Sequence, residues 1–390
     1  MTVDVDDDRL DDVAAIASVD PQEMLRAVAT SAAQVRRGRT AAADAGLDDL
    51  RGEDRPRAVV IAGMGGSGIA ADVVAALTAP TAATPVVVHR APGLPGWVGP
   101  ADVVIAVSCS GHTAETLSAT DEALRRGTRV IGVSAAESPL AERCLASRSP
   151  HVSVVAELSP RSSMWALATP VVVACSRLSM LDLGADDSVL EAVARRLEQV
   201  AETCRPDRET FVNPAKTLAL EVATALPMAW GAGQMGAVSA YRFACQLAEN
   251  AKLPAVSGVL PEAHHNQVVT FDGPLAGGAA AEDIFRDRVE DEQPLRLRLV
   301  LLHDDDGATT ATRVEASVEL AEQRGIPVSL LRSEGEHAFE RLASLVGVID
   351  YASVYVAIGH GIDPTPIAPI DDLKRRMARP STSAAPPATH

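Results

Sequence analysis

The chain has 390 residues and carries 35 Lys and Arg against 52 Asp and Glu, a formal net charge of −17. That length suits two or three domains with a core each, and 47% hydrophobic with 22% charged residues is a globular composition. The charge argues against nucleic acid, which needs clustered Lys and Arg; no uninterrupted apolar run reaches the roughly 18 residues of a membrane span. The acidic start MTVDVDDDRLDD is unlike the basic, then apolar, start of a signal peptide. Cys109, Cys144, Cys175, Cys204 and Cys245 are odd in number and form no CxxC pair, the usage of reduced thiols. These features together lead us to expect a cytoplasmic protein with neither membrane nor nucleic acid as a partner.

Residues 1–52 read as a helical segment, with an apolar stripe along MLRAVATSAAQVRRG. Residues 53–183 read as a first domain. Its short, β-branched runs are AVVIAG (58–63), PVVVH (85–89), DVVIAVS (102–108), RVIGVS (129–134) and VSVVAEL (152–158). Such nearly continuous apolar runs are expected of strands covered on both faces. The stretches between them have helical spacing, so the fold class is α/β with a doubly wound parallel sheet. A helical connector, DSVLEAVARRLEQVAETC, lies in 184–212. A second domain over 213–362 offers strands at MAWG (228–231), RLRLVLLH (296–303) and IPVSLLR (326–332), a helix over 235–251 and a long apolar helix near 342–358. A carboxy-terminal helix is expected over 363–378, and the Pro/Ser/Ala-rich tail 379–390 reads as disordered.

The two domains echo each other. Gly63-Met64-Gly65-Gly66-Ser67-Gly68 and Gly231-Ala232-Gly233-Gln234-Met235-Gly236 both match GxGxxG between a strand and a helix, which suggests two similar tandem α/β domains. The first loop has two readings: a dinucleotide site, or a tight turn without a ligand. A dinucleotide fold wants an acidic residue at the end of the next strand; here that strand ends His89-Arg90, which leaves NADP open through Arg90. More distinctive is Ser108-Cys109-Ser110-Gly111-His112-Thr113, directly after a strand and before a helix. Three hydroxyls at i, i+2 and i+5, beside free helix N–H groups, suit a compact anion such as a phosphomonoester. The plain alternative is an N-cap made by Ser110 or Thr113.

The SxSGxT stretch and the GMGGSG loop together resemble a sugar isomerase (SIS) domain, which binds phosphosugars. CQLAENAK (245–252), PEAHHNQ (261–267) and DPTPIAPIDDLK (363–374) narrow the resemblance to the bifunctional phosphoglucose/phosphomannose isomerases, which carry two tandem SIS domains. The likeness runs from about residue 57 to 376. Departures stand inside the motifs: Cys109 replaces the usual aromatic, His112 the usual Asn and Gln267 the usual Glu. Ser162-Ser163-Met164-Trp165 occupies a place where small residues are usual, which would alter the sugar pocket.

The resemblance implies aldose–ketose isomerisation of glucose 6-phosphate, mannose 6-phosphate and fructose 6-phosphate through a cis-enediolate, with no cofactor. Such chemistry without a metal needs a carboxylate base, an acid for ring opening and a cation near the developing oxyanion. By resemblance Glu249 is the base and Arg161 the cation. His265 and Lys374 open the ring, and Thr365 makes room for both C2 epimers. Gly66, Ser67, Ser108, Ser110 and Thr113 would hold the phosphate. The resemblance also implies a homodimer in which His265 reaches the partner's site. Each residue has a bland reading as well. Glu249 could pair on the surface with Lys252 or Arg242, His264 could stand in for His265, and Lys374 could serve the helix dipole. The nine histidines form no HxH or HxxxH pair, so no metal is expected. A phosphosugar-binding protein without catalysis is the other class that fits.

Overall fold

The computed structural model describes residues 5–52, 54–276, 295–304 and 307–377. The amino-terminal part forms α1 (Val13–Val19), α2 (Met24–Ala29) and α3 (Ser31–Asp44). Two carboxylates start the first pair by accepting from open main-chain N–H groups: Asp12 from Ala14 and Ala15, Asp20 from Met24 and Leu25.

The first sheet holds β1 (Val59–Ala62), β2 (Val86–His89), β3 (Val103–Ser108), β4 (Arg129–Ser134) and β5 (His151–Ser153). It is flanked by α4 (Gly65–Thr78), α5 (Ala114–Arg125), α6 (Pro139–Ser147) and α7 (Met164–Arg177). Every pairing is parallel and the order is β2-β1-β3-β4-β5, so the winding reverses between β1 and β3. Side chains divide by parity, as the two-residue repeat of a strand requires. Val59, Ile61, Val103, Ile105 and Val107 enter the main core, whereas Val60, Val104 and Ala106 pack with Ala123, Leu140 and Cys144 on the other face. Both faces being covered is why these strands read as unbroken apolar runs.

α8 (Ser188–Cys204) and α9 (Pro214–Ala223) lead into a second parallel sheet, β7-β6-β8-β9. Its strands are β6 (Ala225–Ala232), β7 (Val256–Val259), β8 (Arg296–His303) and β9 (Val328–Arg332). α10 (Gly233–Gln246) runs directly into a π-helical turn, Leu247–Ala251. α11 (Ala308–Gln323), α12 (Ala338–Gly359) and α13 (Ala368–Met377) complete the described chain. The main core is continuous across both sheets and contains α12 almost entirely. α12 is long and apolar enough to cross a membrane, a feature that counting uninterrupted runs misses because single polar residues interrupt it. Here it is the shared core helix, packed against α8, α9 and α10.

The elements differ from the sequence reading in several places. The expected strand 152–158 shrinks to His151–Ser153; beyond it Val155 and Leu158 are exposed and the Glu157 N–H goes to the Ser163 hydroxyl instead of a ladder. β6 is twice the length of MAWG. β7 was not expected at all: it is a short edge strand with Val256 and Val259 exposed. The helix read over 235–251 starts at Gly233 and widens at its end into the π turn. The last helix begins only at Ala368, because Pro364 and Pro366 hold the preceding residues out of the helical region. The tail 379–390 lies outside the described residues.

Candidate functional site

In an open parallel sheet, ligands bind beyond the carboxyl ends of the strands where the winding reverses. Here that place is the end of β1 and β3, where α4 and α5 begin. Neither helix has a side-chain cap from its own N-cap residue, Met64 or Thr113, so both N-termini keep donors for an anion. The Thr113 hydroxyl instead lies 2.9 Å from the Ser108 hydroxyl, which also accepts from the Gly111 N–H. Ser110 accepts from the His112 N–H and the Ser67 hydroxyl from the Cys109 N–H. Ser67, Ser108 and Thr113 are thus drawn together into a cradle, with Ser110 in the same loop, and neither Ser110 nor Thr113 caps α5 through its side chain. Gly111 permits this loop: its φ is +69°, and a Cβ there would stand 2.2 Å from the Ser138 hydroxyl.

Gly66 ties the cradle to the next group. A Cβ on Gly66 would lie 3.0 Å from the Pro160 carbonyl and 3.3 Å from the Arg161 nitrogen, so glycine lets the loop pack closely on the peptide that carries Arg161. The Arg161 side chain is buried. Its Nε donates to the Asn250 side-chain oxygen at 2.6 Å, and Nη2 donates to the Pro364 and Thr365 carbonyls. Nη1 faces the Glu249 carboxylate at 3.7 Å and has no hydrogen bond among the described residues. Burial lowers the guanidinium pKa, and the charges of Glu249 and Asp363 oppose that; the group stays a cation.

Glu249 stands on the π turn, a feature that recurs at functional sites because it re-aims side chains. Its carboxylate is 29% exposed, open to a ligand. Both bland partners are committed elsewhere. Arg242 forms a buried bidentate pair with Asp350 and donates to the Arg161 carbonyl. Lys252, at φ +58°, sends its ammonium to the main-chain carbonyls of Glu249, Asn250, Asp363 and Pro364. Burial lowers its pKa first, and the nearby Arg161 charge lowers it further. The sequence reading gave Lys252 no role beyond a surface pair. The buried Thr365 hydroxyl has no partner among the described residues.

His265 and Lys374 are not brought to this cluster. His265 is exposed on the turn Glu262–His265, whereas its neighbour His264 is tied inward, with Nε2 2.7 Å from the Ser317 hydroxyl and its ring edge-on to Trp230. Burial lowers the His264 pKa. Lys374 is exposed on α13, which buries no residue.

The altered motif positions are accounted for. Gln267 accepts from the Trp230 indole at 2.7 Å and donates to the Ser257 carbonyl, two bonds that need an amide. Trp165 does not shape the sugar pocket as expected: it is buried in the core, 5.6 Å from Phe339. His112 points its Nδ1 at the Ser110 carbonyl, and burial raises the Cys109 pKa. Arg90, on which an NADP site would depend, is committed to Asp72 and the Gly68 carbonyl and stacks on Tyr241. Among the described residues no three His, Cys, Asp or Glu are arranged to hold a metal.

Comparison with known proteins identifies both domains. Residues 54–170 match the SIS domain, and residues 211–377 match the bacterial phospho-glucose isomerase C-terminal SIS domain. A bifunctional phosphoglucose/phosphomannose isomerase of Caldicellulosiruptor bescii is 30% identical over 85% of this chain and 92% of its own. That of Aquifex aeolicus is 26% identical over 83% and 91%. Among solved structures, a glucose-6-phosphate isomerase like protein from Thermus thermophilus superposes with a TM-score of 0.55 at 18% identity, covering 91% of this chain and 96% of that one. The C-terminal domain of glucosamine-fructose-6-phosphate aminotransferase from Francisella tularensis gives 0.58 at 15%, covering 87% and 97%; these two speak for the fold. The chain is an isomerase and belongs to the bifunctional phosphoglucose/phosphomannose isomerase family.

Proposed function

We propose that the chain interconverts glucose 6-phosphate and mannose 6-phosphate with fructose 6-phosphate, without a metal, through a cis-enediolate. The observation that carries this reading is the accessible Glu249 carboxylate facing the uncommitted Nη1 of the buried Arg161 at 3.7 Å, next to the phosphate cradle. Gly66, Ser67, Ser108, Ser110 and Thr113 hold the phosphate with the N-termini of α4 and α5. Glu249 takes the proton from C2 of the open-chain aldose and returns it to C1. In the same step O1 gains a proton and O2 loses one, so an aldehyde becomes a ketone. The negative charge that develops on the enediolate oxygens lies against Arg161, and Thr365, whose carbonyl accepts from Arg161, makes room for both C2 epimers.

Ring opening falls to His265 and Lys374, and His265 acts in the site of a second copy of the chain. Two features support a homodimer: His265 is exposed while His264 is held inward, and α13 leaves Ile370, Leu373 and Met377 exposed on one stripe beside Lys374. Free cysteines, four of them buried, fit a reducing cytoplasm.

The test is fructose 6-phosphate with EDTA present, following glucose 6-phosphate and mannose 6-phosphate separately. We expect both to appear. If neither forms while fructose 6-phosphate still raises Tm, the chain binds phosphosugar without turning it over.

A further inference from the structure

The second GxGxxG has no part in the chemistry above, yet its surroundings repeat those of the first. β6 and β8 are adjacent parallel strands, as β1 and β3 are. α10 follows β6 as α4 follows β1, and α11 follows β8 as α5 follows β3. A Cβ on Gly63 would meet the carbonyl of Val107, the penultimate residue of β3. In the second loop it is the last glycine, Gly236, rather than the first, whose Cβ would meet a strand carbonyl, that of Leu302, the penultimate residue of β8. The residue after each strand then meets the first turn of the helix opposite. In the first domain the Cys109 N–H donates to the Ser67 hydroxyl. In the second, the Asp304 carboxylate accepts from the Met235 N–H at 3.2 Å.

The difference is charge. Asp304 is buried, its Oδ2 on the α10 N-terminus and its Oδ1 2.6 Å from the Arg341 Nε. Arg341 is fixed in turn by the Glu336 carbonyl. A carboxylate held by a guanidinium and a helix N–H is bound as a phosphate would be.

We propose that the second domain carries a self-liganded copy of the phosphate cradle: Asp304 fills it from within, so each chain takes one phosphosugar, in the first domain. The filled cradle also pins the start of α10, whose far end presents Glu249. This inference rests on the phosphate reading of the first domain.

The experiment counts anions on the full-length protein. Wild type, Asp304→Ser and the isosteric Asp304→Asn are titrated with inorganic phosphate, with fructose 6-phosphate present at saturation and absent. Wild type should bind one equivalent of phosphate per chain, and none once fructose 6-phosphate is present. Asp304→Ser should gain an equivalent that fructose 6-phosphate does not displace and that Arg341→Met in the same chain removes. A second wild-type equivalent overturns the proposal, as does a folded Asp304→Ser that gains none; Asp304→Asn, which still fills the cradle, should gain none, and a gain there would overturn it too. A wild type that binds no phosphate or fructose 6-phosphate, beside an Asp304→Ser that binds one phosphate, would refute the first-domain reading and leave this one standing.

Discussion

At the scale of single residues, the site depends on which cations are used up elsewhere. Three positively charged side chains lie near Glu249, and two have other acceptors: Arg242 is bound to Asp350 and Lys252 to main-chain carbonyls. That leaves Arg161 Nη1 for the carboxylate and for a developing oxyanion. Glu249→Gln keeps the size and removes the base, so turnover should fall by roughly 10³-fold while fructose 6-phosphate binding, read by calorimetry, stays near wild type; unchanged turnover would remove Glu249 from the mechanism. Lys252 acts differently, since its ammonium joins the π turn to the 363–365 segment and cannot reach substrate as well. Lys252→Met should lower kcat by roughly 10–100-fold through misplacement of Glu249, with KM little changed. A loss confined to KM would mean that Lys252 binds substrate instead. No sequence pattern could show this, because the carbonyls of Asp363 and Pro364 lie over a hundred positions away from the lysine they accept from.

At the scale of elements, the first sheet was legible because each strand is a run such as VVIA or VVIAVS that only two covered faces would demand. β7 was not, since a short edge strand containing Gly258 makes no apolar run. The cradle was half legible. Hydroxyls at i, i+2 and i+5 signal an anion, but the bond between Thr113 and Ser108, which takes Thr113 away from capping α5, belongs to the folded loop. Gly111 is the element's pivot. Gly111→Ala would force a side chain at φ +69° and against Ser138, so the loop must shift. Losing even one charge-assisted bond to the phosphate, about 1.5–3 kcal/mol, should weaken fructose 6-phosphate binding by roughly 10–100-fold. Calorimetric titration checks it, and wild-type affinity in a folded Gly111→Ala would mean that this loop does not hold the phosphate. A mutation of this kind should leave the exchange chemistry of already bound substrate far less affected than Glu249→Gln does.

At the scale of the whole molecule, the proposed site draws on distant parts: the cradle and Arg161 from the first sheet's loops, Glu249 from the π turn after α10, Thr365 from the turn before α13. One continuous core, with α12 through its middle, holds these parts in register. What one chain leaves out is a histidine and a lysine, both exposed. If His265 completes the site of a second copy, two defective chains should repair each other. Glu249→Gln and His265→Ala would each be nearly inactive as homodimers. In a mixed dimer, one site receives both defects and the other receives neither. Random pairing makes half of the dimers mixed, each with one intact site, so the co-expressed pair should recover about one quarter of wild-type turnover. Recovery should vanish when Glu249→Gln and His265→Ala are placed in the same chain and paired with either single variant. No recovery at all, with mixed dimers isolated by two different tags, would place His265 in the site of its own chain, and the exposed turn would then have to close onto Glu249 from within.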